Sequence, residues 1–271
     1  MFGLKEKKRQ RLRERPFPPS WVQILEQNVA YYPKLTPEEQ AELRGHIQVF
    51  LDEKPFEGCG GLQINDEIRV TIAAEACILL LGRETDYYPD LRSILVYPHP
   101  YRAPHTRHLP GGIVVEGVQG RLGESWQKGY VVLTWDEVQR TAHNHNDAHN
   151  VVFHEFAHQL DSQSGGEQGV PALPNRAMYA AWSRVMESEY QHLLHDLERH
   201  HKTDLDAYGA TNPAEFFAVI TEAFFERPIP LKRRHPQLYE LLATFYRQDP
   251  AQRIKRIKRE HKHPPTSGQS S

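Results

Sequence analysis

Apolar positions recur at helical spacing near the start of the chain. The segment "LTPEEQAELRGHIQVFLDE" opens with a capping-box pattern at Thr36 and Glu39. Apolar side chains then follow at intervals of three and four: Leu43, Ile47, Phe50 and Leu51. The stretch "NDEIRVTIAAEACILLL" predicts a second, more buried helix that ends at Gly82. About residues 20–82 are therefore predicted to be helical.

The hydrophobic pattern changes in the middle of the chain. Three short runs rich in β-branched residues, each bounded by Gly or Pro, predict strands: "LRSILVYP" (91–98), "GGIVVEG" (111–117) and "GYVVLTW" (129–135). After residue 148 the pattern becomes helical again, with "AAWSRVMESEYQHLLHDLERHH" and "NPAEFFAVITEAFFERP". Helices, then strands, then helices predict an α+β domain, with helices packed on a small mixed β-sheet.

Charge separates the two ends of the chain from its body. Residues 1–15 hold seven Lys/Arg and two Glu, and residues 251–263 hold six Lys/Arg and one Glu, although the net charge is only −2. Such basic ends are typical of solvated arms. We therefore predict a flexible basic arm over residues 1–19, one domain over residues 20–250, and a basic, then polar tail over residues 251–271. The acidic body argues against nucleic-acid binding.

Composition favours a cytoplasmic protein. The two cysteines are too far apart for a CxxC motif, which fits a reducing compartment better than a disulfide framework. No apolar run follows the basic N-terminus, so a signal peptide is not expected. The most apolar window, residues 70–82, is interrupted by Glu75 and is far shorter than the roughly 20 residues of a membrane span.

The stretch "HNVVFHEFAHQLDS" contains the pattern H-E-x-x-H at residues 154–158. In a helix, His154 and His158 lie one turn apart on the same face, so both imidazoles can bind one metal ion. Glu155 points slightly aside, towards a water molecule on that ion. Zinc lowers the pKa of such a water to about 7, and Glu155 would accept its proton and pass it to the leaving amine.

The third ligand distinguishes the classes of zinc peptidase. Asp161 and Ser164 occupy the positions where metzincins have Gly and His, which argues against that class. Residues 168–186 contain no acid, which argues against a thermolysin-like ligand on the next helix. A more distant helix offers Glu215 and Glu222, seven residues apart on one face, and their spacing alone does not decide between them.

Three segments together resemble the Mlc titration factor A family of zinc peptidases. They are "HNVVFHEFAHQLD", "DAYGATNPAEFFAV" followed by "TEAFF", and "FYRQDPAQR". The catalytic core of this family is similar to that of anthrax lethal factor, a gluzincin. The resemblance covers nearly the whole chain between the predicted arms and implies a zincin-like fold built around the H-E-x-x-H helix.

The resemblance also implies roles for individual residues. It implies one Zn²⁺ per chain bound by His154, His158 and Glu215, with Glu155 as general base and acid. Tyr208 matches a tyrosine beside the metal that can hydrogen-bond the oxyanion of the tetrahedral intermediate.

Two further carboxylates are predicted to support the ligands. Asp161 lies three residues after His158 and seven after His154, within reach of a ring N–H, and Glu222 is the other carboxylate of the distant helix. Both are expected behind the metal ligands rather than on the metal itself.

The expected function is zinc-dependent peptide hydrolysis. An extended peptide would lie against an edge strand, for which "GYVVLTW" is the best match because it directly precedes the active-site helix, although an interior strand is the alternative. The resemblance implies aminopeptidase-like action and a family member that binds and inactivates the repressor Mlc. The alternative function is a non-catalytic protein that sequesters a transcription regulator. No membrane partner is expected.

Overall fold

The structure, a computed structural model, describes residues 2–100, 105–109, 113–117, 129–143, 148–166 and 168–262. The helices are α1 (Phe2–Arg13), α2 (Pro19–Asn28), α3 (Pro37–Glu53), α4 (Asp66–Ile78), α5 (Trp135–His143), α6 (Val151–Ser162), α7 (Arg176–Glu198), α8 (Pro213–Glu226), α9 (Pro228–Arg234), α10 (Pro236–Tyr246) and α11 (Pro250–Lys262). The strands are β1 (Phe56–Gly58), β2 (Ser93–Tyr97), β3 (His105–Leu109), β4 (Ile113–Gly117) and β5 (Tyr130–Thr134). None of the helices in these ranges has both the length and the apolar character that crossing a membrane requires.

The predicted α+β class is confirmed, and the three-stranded sheet formed by the described residues is parallel rather than mixed. Strands β1, β2 and β5 form a parallel sheet in the order β1-β2-β5, with Leu95 of β2 opposite Glu57 on one side and Val132 on the other. Strands β3 and β4 form a separate antiparallel pair. Parallel neighbours need long crossover connections, and helix α4 supplies the one between β1 and β2. The sequence pattern identified strands without indicating their direction.

Helix starts follow the predicted capping chemistry. The hydroxyl of Thr36 accepts the Glu39 N–H at 3.1 Å, and the Glu39 carboxylate accepts the Thr36 N–H at 2.8 Å. This reciprocal pair begins α3 as the capping box predicts. Helix α4 ends at Ile78, four residues before Gly82, where the sequence predicted its end. Gly82 does have a positive φ of 70°, but it lies in the turn that follows the helix.

Helix α6 is held between two groups of buried aromatic rings. On one side, Phe156 lies 4.8 Å from Tyr88 and 5.8 Å from Phe50, measured between ring centroids. On the other side, Phe153 lies 5.2 Å from Phe225 of α8. Edge-to-face and tilted ring pairs of this kind stabilise by about 0.5–1.5 kcal/mol beyond their buried area. The helix therefore has a fixed rotation about its axis, and that rotation directs its histidines.

Residues 2–13 differ from the predicted flexible arm, because they form helix α1, which packs on α3. The buried guanidinium of Arg9 donates two hydrogen bonds to Glu53, at 2.6 and 2.8 Å. Leu12, on the same helical face, is also buried. The basic residues that suggested a solvated segment thus include a specific ion-pair partner of α3.

The C-terminal segment also differs from the predicted tail over residues 251–271. Residues 250–262 form α11, and the buried Arg253 in it contacts Glu39 and donates to the Tyr31 hydroxyl at 2.6 Å. This arginine ties the end of the chain to the start of α3. Residues 263–271, the polar end of that tail, lie outside the described residues.

The carboxyl group of Glu75 lies in the core, on helix α4. Glu75 is fully buried, and its Oε1 accepts a hydrogen bond from Nδ2 of Asn150 at 2.8 Å. Its Oε2 has no hydrogen-bond partner among the described residues. Burial raises the pKa of Glu75 to about 8. The folded protein therefore holds a proton on Glu75 at pH values where the unfolded chain releases it.

We predict that Arg253→Met destabilises the protein by about 2 kcal/mol. The substitution removes the ion pair with Glu39 and the hydrogen bond to the Tyr31 hydroxyl, and breaking a buried pair costs more than breaking an exposed one. Urea unfolding measures the loss. The control is Lys255→Met on the exposed side of the same helix, with an expected change within about 0.5 kcal/mol. Equal effects of the two substitutions would contradict the anchoring role.

We predict that Glu75 makes stability depend on pH between about 4.3, the ordinary Glu value, and about 8. A raised folded pKa gives stability that is complete below the unfolded pKa and is lost as pH rises through the folded pKa. The Tm of the wild type should therefore fall relative to that of Glu75→Gln across this window and then level off. If the curves of Tm against pH run parallel for the two proteins across this window, Glu75 does not retain its proton in the folded state.

Candidate metal centre

Helix α6 begins immediately before the H-E-x-x-H pattern. Asn150 is its N-cap, and Oδ1 of this residue accepts the N–H of Phe153 at 2.9 Å. The cap starts the helix early enough for His154 and His158 to lie within regular helix, one turn apart. Their rings are 5.0 Å apart between centroids and project from the same face.

Helix α8 brings a carboxylate to these two histidines. Asn212 caps α8, with its Oδ1 accepting the Glu215 N–H at 3.0 Å, so Glu215 lies in the first turn. Oε2 of Glu215 lies 3.0 Å from Nε2 of His154 and 3.4 Å from Nε2 of His158. The two Nε2 atoms are 3.3 Å apart. Among the described residues, these three side chains form the group able to hold a metal ion together.

The electrostatics of the group favour a cation. Although burial alone would raise it, hydrogen bonds from His154 and His158 lower the pKa of Glu215 to about 2. Although burial opposes its charged form, the carboxylates of Glu215 and Glu222 raise the pKa of His154 to about 10. The two carboxylates thus create a negative field at the point where the imidazole nitrogens converge.

The structure places Glu222 directly behind His154. Nδ1 of His154 lies 2.7 Å from Oε1 of Glu222, whose other oxygen accepts the backbone N–H of Asn150 at 2.5 Å. When the imidazole is neutral, a carboxylate at Nδ1 favours the tautomer that carries its proton there, which would leave the Nε2 lone pair for a metal ion. Glu222 is 2% exposed, so solvent does not compete for these two hydrogen bonds.

Glu155 lies on the buried side of the same helix, next to His154. It is 4% exposed, and its Oε2 has no hydrogen-bond partner among the described residues. Burial raises the pKa of Glu155 to about 7, against the opposing effect of the two neighbouring histidines. A buried carboxyl oxygen left without a partner is unusual in a folded protein and often marks a functional group.

Tyr208 stands at the solvent side of the group. The short 3₁₀ turn Ala207–Ala210 carries it, and Asp206 caps that turn by accepting the Tyr208 N–H at 2.8 Å. Its side chain is 52% exposed, and its ring centroid is 5.9 Å from that of His154. Burial and the neighbouring Glu215 carboxylate raise the pKa of Tyr208, so its hydroxyl keeps its proton at neutral pH.

Asp161 holds the loop that follows α6 through two backbone hydrogen bonds. Its two carboxylate oxygens accept the backbone N–H groups of Gly169 and Val170, each at 2.7 Å. Nε1 of Trp182 donates to the Gly169 carbonyl at 2.8 Å. A Cβ on Gly169 would lie 2.3 Å from the carbonyl oxygen of Pro213, so only glycine fits against the start of α8. Asp161 therefore anchors the loop that follows α6.

Two residues of this arrangement were not identified from the sequence. Asn150 was seen only as part of the lead-in to the motif, although an Asn before an apolar helix is a frequent N-cap. Glu75 was noted only as an interruption of an apolar window, and a charged residue inside such a window is itself a signal of a specific partner. No sequence spacing connects the two, because they come from α4 and α6.

Known proteins match this chain over most of its length. The family described as glucose-regulated metallo-peptidase M90 matches residues 4–247. The uncharacterized protein slr2042 of Synechocystis sp. is 43% identical over 238 residues, 88% of this chain and 86% of that protein. Mlc titration factor A of Serratia proteamaculans is 31% identical over 241 residues, which are 87% of this chain and 91% of that protein. Mlc titration factor A of Salmonella arizonae is 31% identical over 224 residues, which are 82% of this chain and 88% of that protein.

These matches confirm the resemblance that three sequence segments indicated, and with it the zincin-like α+β fold. The family is named for metal-dependent peptidases, and the convergence of two imidazoles and a carboxylate is the kind of donor set that such a protein requires. The chain therefore belongs to the glucose-regulated metallo-peptidase M90 family.

Proposed function

We propose that this protein is a zinc-dependent peptidase that binds one Zn²⁺ through His154, His158 and Glu215. Zinc takes nitrogen and oxygen ligands at about 2.0–2.1 Å in tetrahedral geometry, which separates two ligand atoms by about 3.3 Å. The three separations in the structure are 3.0, 3.3 and 3.4 Å. This agreement carries the proposal, because it allows all three atoms to bind one ion without rearrangement.

When bound, zinc supplies Lewis-acid polarisation of water and of the scissile carbonyl. The protein supplies the proton transfers: Glu155, whose Oε2 lacks a partner, accepts a proton from the attacking water and delivers it to the leaving amine.

Two further side chains complete the proposed site. Glu222 orients His154 through its Nδ1 hydrogen bond, which directs Nε2 towards the ion. The half-exposed hydroxyl of Tyr208 donates a hydrogen bond to the oxyanion as the carbonyl becomes tetrahedral.

The peptide substrate is proposed to bind along β5. This strand is at the end of the sheet order, so within the described part of the chain its outer edge pairs with no other strand. Helix α6 packs against β5, which brings that edge near the proposed site. An extended peptide can add to such an edge through main-chain hydrogen bonds. Aminopeptidase-like cleavage of a peptide or small protein, in the cytoplasm, is the corresponding proposed activity.

A second candidate function is sequestration of a transcription regulator. Relatives that are 31% identical carry the name Mlc titration factor A, which favours a repressor of the Mlc type as a partner. The two functions are compatible, since binding a regulator does not require a general base. The buried Glu155 beside the ligands supports catalysis, because a protein that only sequesters a partner has no use for it.

We predict that Glu155→Gln lowers peptide hydrolysis by roughly 10²–10⁴-fold, because general acid–base catalysis contributes about that much. The amide keeps the shape of the side chain and leaves all three proposed ligands in place, so zinc content should not change. Mass spectrometry of a diverse peptide mixture measures the products, and metal analysis measures zinc in the same samples. The control is Glu240→Gln, an exposed position on α10.

The pattern of fragments gives the outcome. If only the wild type and the control cleave peptides, the peptidase function is supported. The ends of the fragments then show whether cleavage is amino-terminal or internal. Equal cleavage by the Glu155→Gln variant would show that Glu155 is not the base. Zinc-loaded wild type that cuts nothing would favour the regulator-binding function.

We predict that Glu215→Gln weakens zinc binding more than Glu222→Gln does. A neutral amide is a poor zinc ligand, so the loss of Glu215 should exceed about 100-fold, whereas a group that supports a ligand is worth roughly 10–100-fold. Competition with a chelator measures both affinities, and circular dichroism verifies that both variants are folded. A larger loss for Glu222→Gln would reverse the ligand assignment of the two glutamates.

A further inference from the structure

A buried carboxyl group in α4 lies behind the first turn of α6. Glu75 is 0% exposed, and α4 packs directly against α6. Its Oε1 accepts the Nδ2 hydrogen bond of Asn150, which is also 0% exposed. A buried carboxyl group is costly unless it makes specific hydrogen bonds, so the contact with Asn150 is what compensates for its burial.

Asn150 contributes three separate groups to the structure. Its side-chain Oδ1 caps α6 by accepting the N–H of Phe153 at 2.9 Å. Its side-chain Nδ2 donates to Glu75 at 2.8 Å. Its backbone N–H donates to Oε2 of Glu222 at 2.5 Å. The residue therefore joins the start of α6 to α4 on one side and to α8 on the other.

Glu75 selects the orientation of the Asn150 amide. An asparagine can cap a helix only with its oxygen towards the helix, and its NH₂ group then needs an acceptor on the opposite side. Glu75 is the acceptor that the structure provides there. Without it, a buried donor would be left unpaired at a cost of about 1–3 kcal/mol, and the amide would be free to rotate away from the cap.

The path continues from Asn150 to a proposed metal ligand. Oε2 of Glu222 accepts the Asn150 N–H at 2.5 Å. Oε1 of Glu222 accepts the Nδ1 proton of His154 at 2.7 Å. A displacement of Asn150 would therefore move the Glu222 carboxylate or lengthen its hydrogen bonds, and so change the direction of the His154 ring. Outer partners of this kind tune metal affinity because they orient the ligand and adjust its basicity.

We propose that Glu75 is a positioning residue of the metal centre, acting through Asn150 and Glu222 on His154. This inference rests on the proposed zinc function. It assigns to a residue of α4, which carries none of the proposed ligands, a share of the zinc affinity. A carboxyl that only stabilised the fold would contribute to the unfolding free energy and leave the zinc affinity of the folded protein unchanged.

The test compares zinc affinity in three full-length variants. Glu75→Met removes the acceptor for Asn150 while filling similar space, and Glu75→Gln keeps an acceptor oxygen. The control is Thr71→Val, one turn earlier on α4, which removes the buried acceptor of an Asn28 hydrogen bond. Zinc affinity is measured by competition with a chelator, and stability by thermal unfolding of the metal-free protein.

We expect Glu75→Met to weaken zinc binding about ten-fold, with Glu75→Gln within about two-fold of the wild type. Thr71→Val should lower Tm by a similar amount to Glu75→Met and keep wild-type zinc affinity. Loss of stability without loss of affinity in Glu75→Met, as in the control, would overturn the proposal. An equal loss of zinc affinity in Glu75→Met and Thr71→Val would also overturn it, since the loss would then come from a general destabilisation of α4.

A second variant tests the same link from its other end. Asn150→Ser keeps a helix-capping oxygen but has no amide donor for Glu75. It should weaken zinc binding about as much as Glu75→Met, and combining the two substitutions should add little, because each breaks the same contact. Additive effects would contradict the proposal, and this variant serves if Glu75→Met does not fold.

Failure of the proposed function is distinguishable from failure of this inference. If the wild type binds no zinc, or if His154→Ala binds as well as the wild type, the zinc site itself is wrong. If the wild type binds one zinc through His154 but shows no peptidase activity, the affinities of the Glu75 variants still decide the positioning role.

Discussion

The carboxylate of Glu222 connects the two helices that carry the proposed ligands. One oxygen accepts the Nδ1 proton of His154 in the second turn of α6, and the other accepts the N–H of Asn150 at its start. Removing either donor would leave a buried carboxylate oxygen unpaired, which is expensive in a low-dielectric interior. Helices α6 and α8 are therefore held in one register, and that register brings Glu215 within 3.0–3.4 Å of both imidazoles.

Aromatic packing makes this register rigid. Phe156 of α6 packs against Tyr88 and Phe153 packs against Phe225 of α8. Phe224 and Phe225 of α8 both pack against Tyr246. Closely packed rings leave few alternative rotamers, so neither helix can rotate without opening a cavity. A centre built on two such helices keeps its ligand geometry more accurately than one built on loops. The loop after α6 adds to this through Asp161, which binds its backbone close to Pro213.

The two ends of the chain show how charge composition can be ambiguous. Basic residues near a terminus are compatible with a solvated arm and with a helix docked through ion pairs, and composition does not distinguish them. In this protein Arg9 of α1 pairs with Glu53 and Arg253 of α11 pairs with Glu39, and both glutamates lie on α3. Helices α1 and α11 therefore both attach to α3 through ion pairs.

Local chemistry determined what the sequence by itself could predict. The capping residues Thr36 and Asn212 and the histidine spacing in α6 act over one helical turn, so their effects are readable from neighbouring letters. The choice of Glu215 as third ligand, 61 residues from His154, needed resemblance to a known family because its spacing did not separate it from Glu222. Only the tertiary structure decided that Glu222 lies behind His154, that Asp161 binds a loop, and that Glu75 reaches Asn150. Such contacts depend on how helices distant in sequence pack together, and no local pattern encodes that packing.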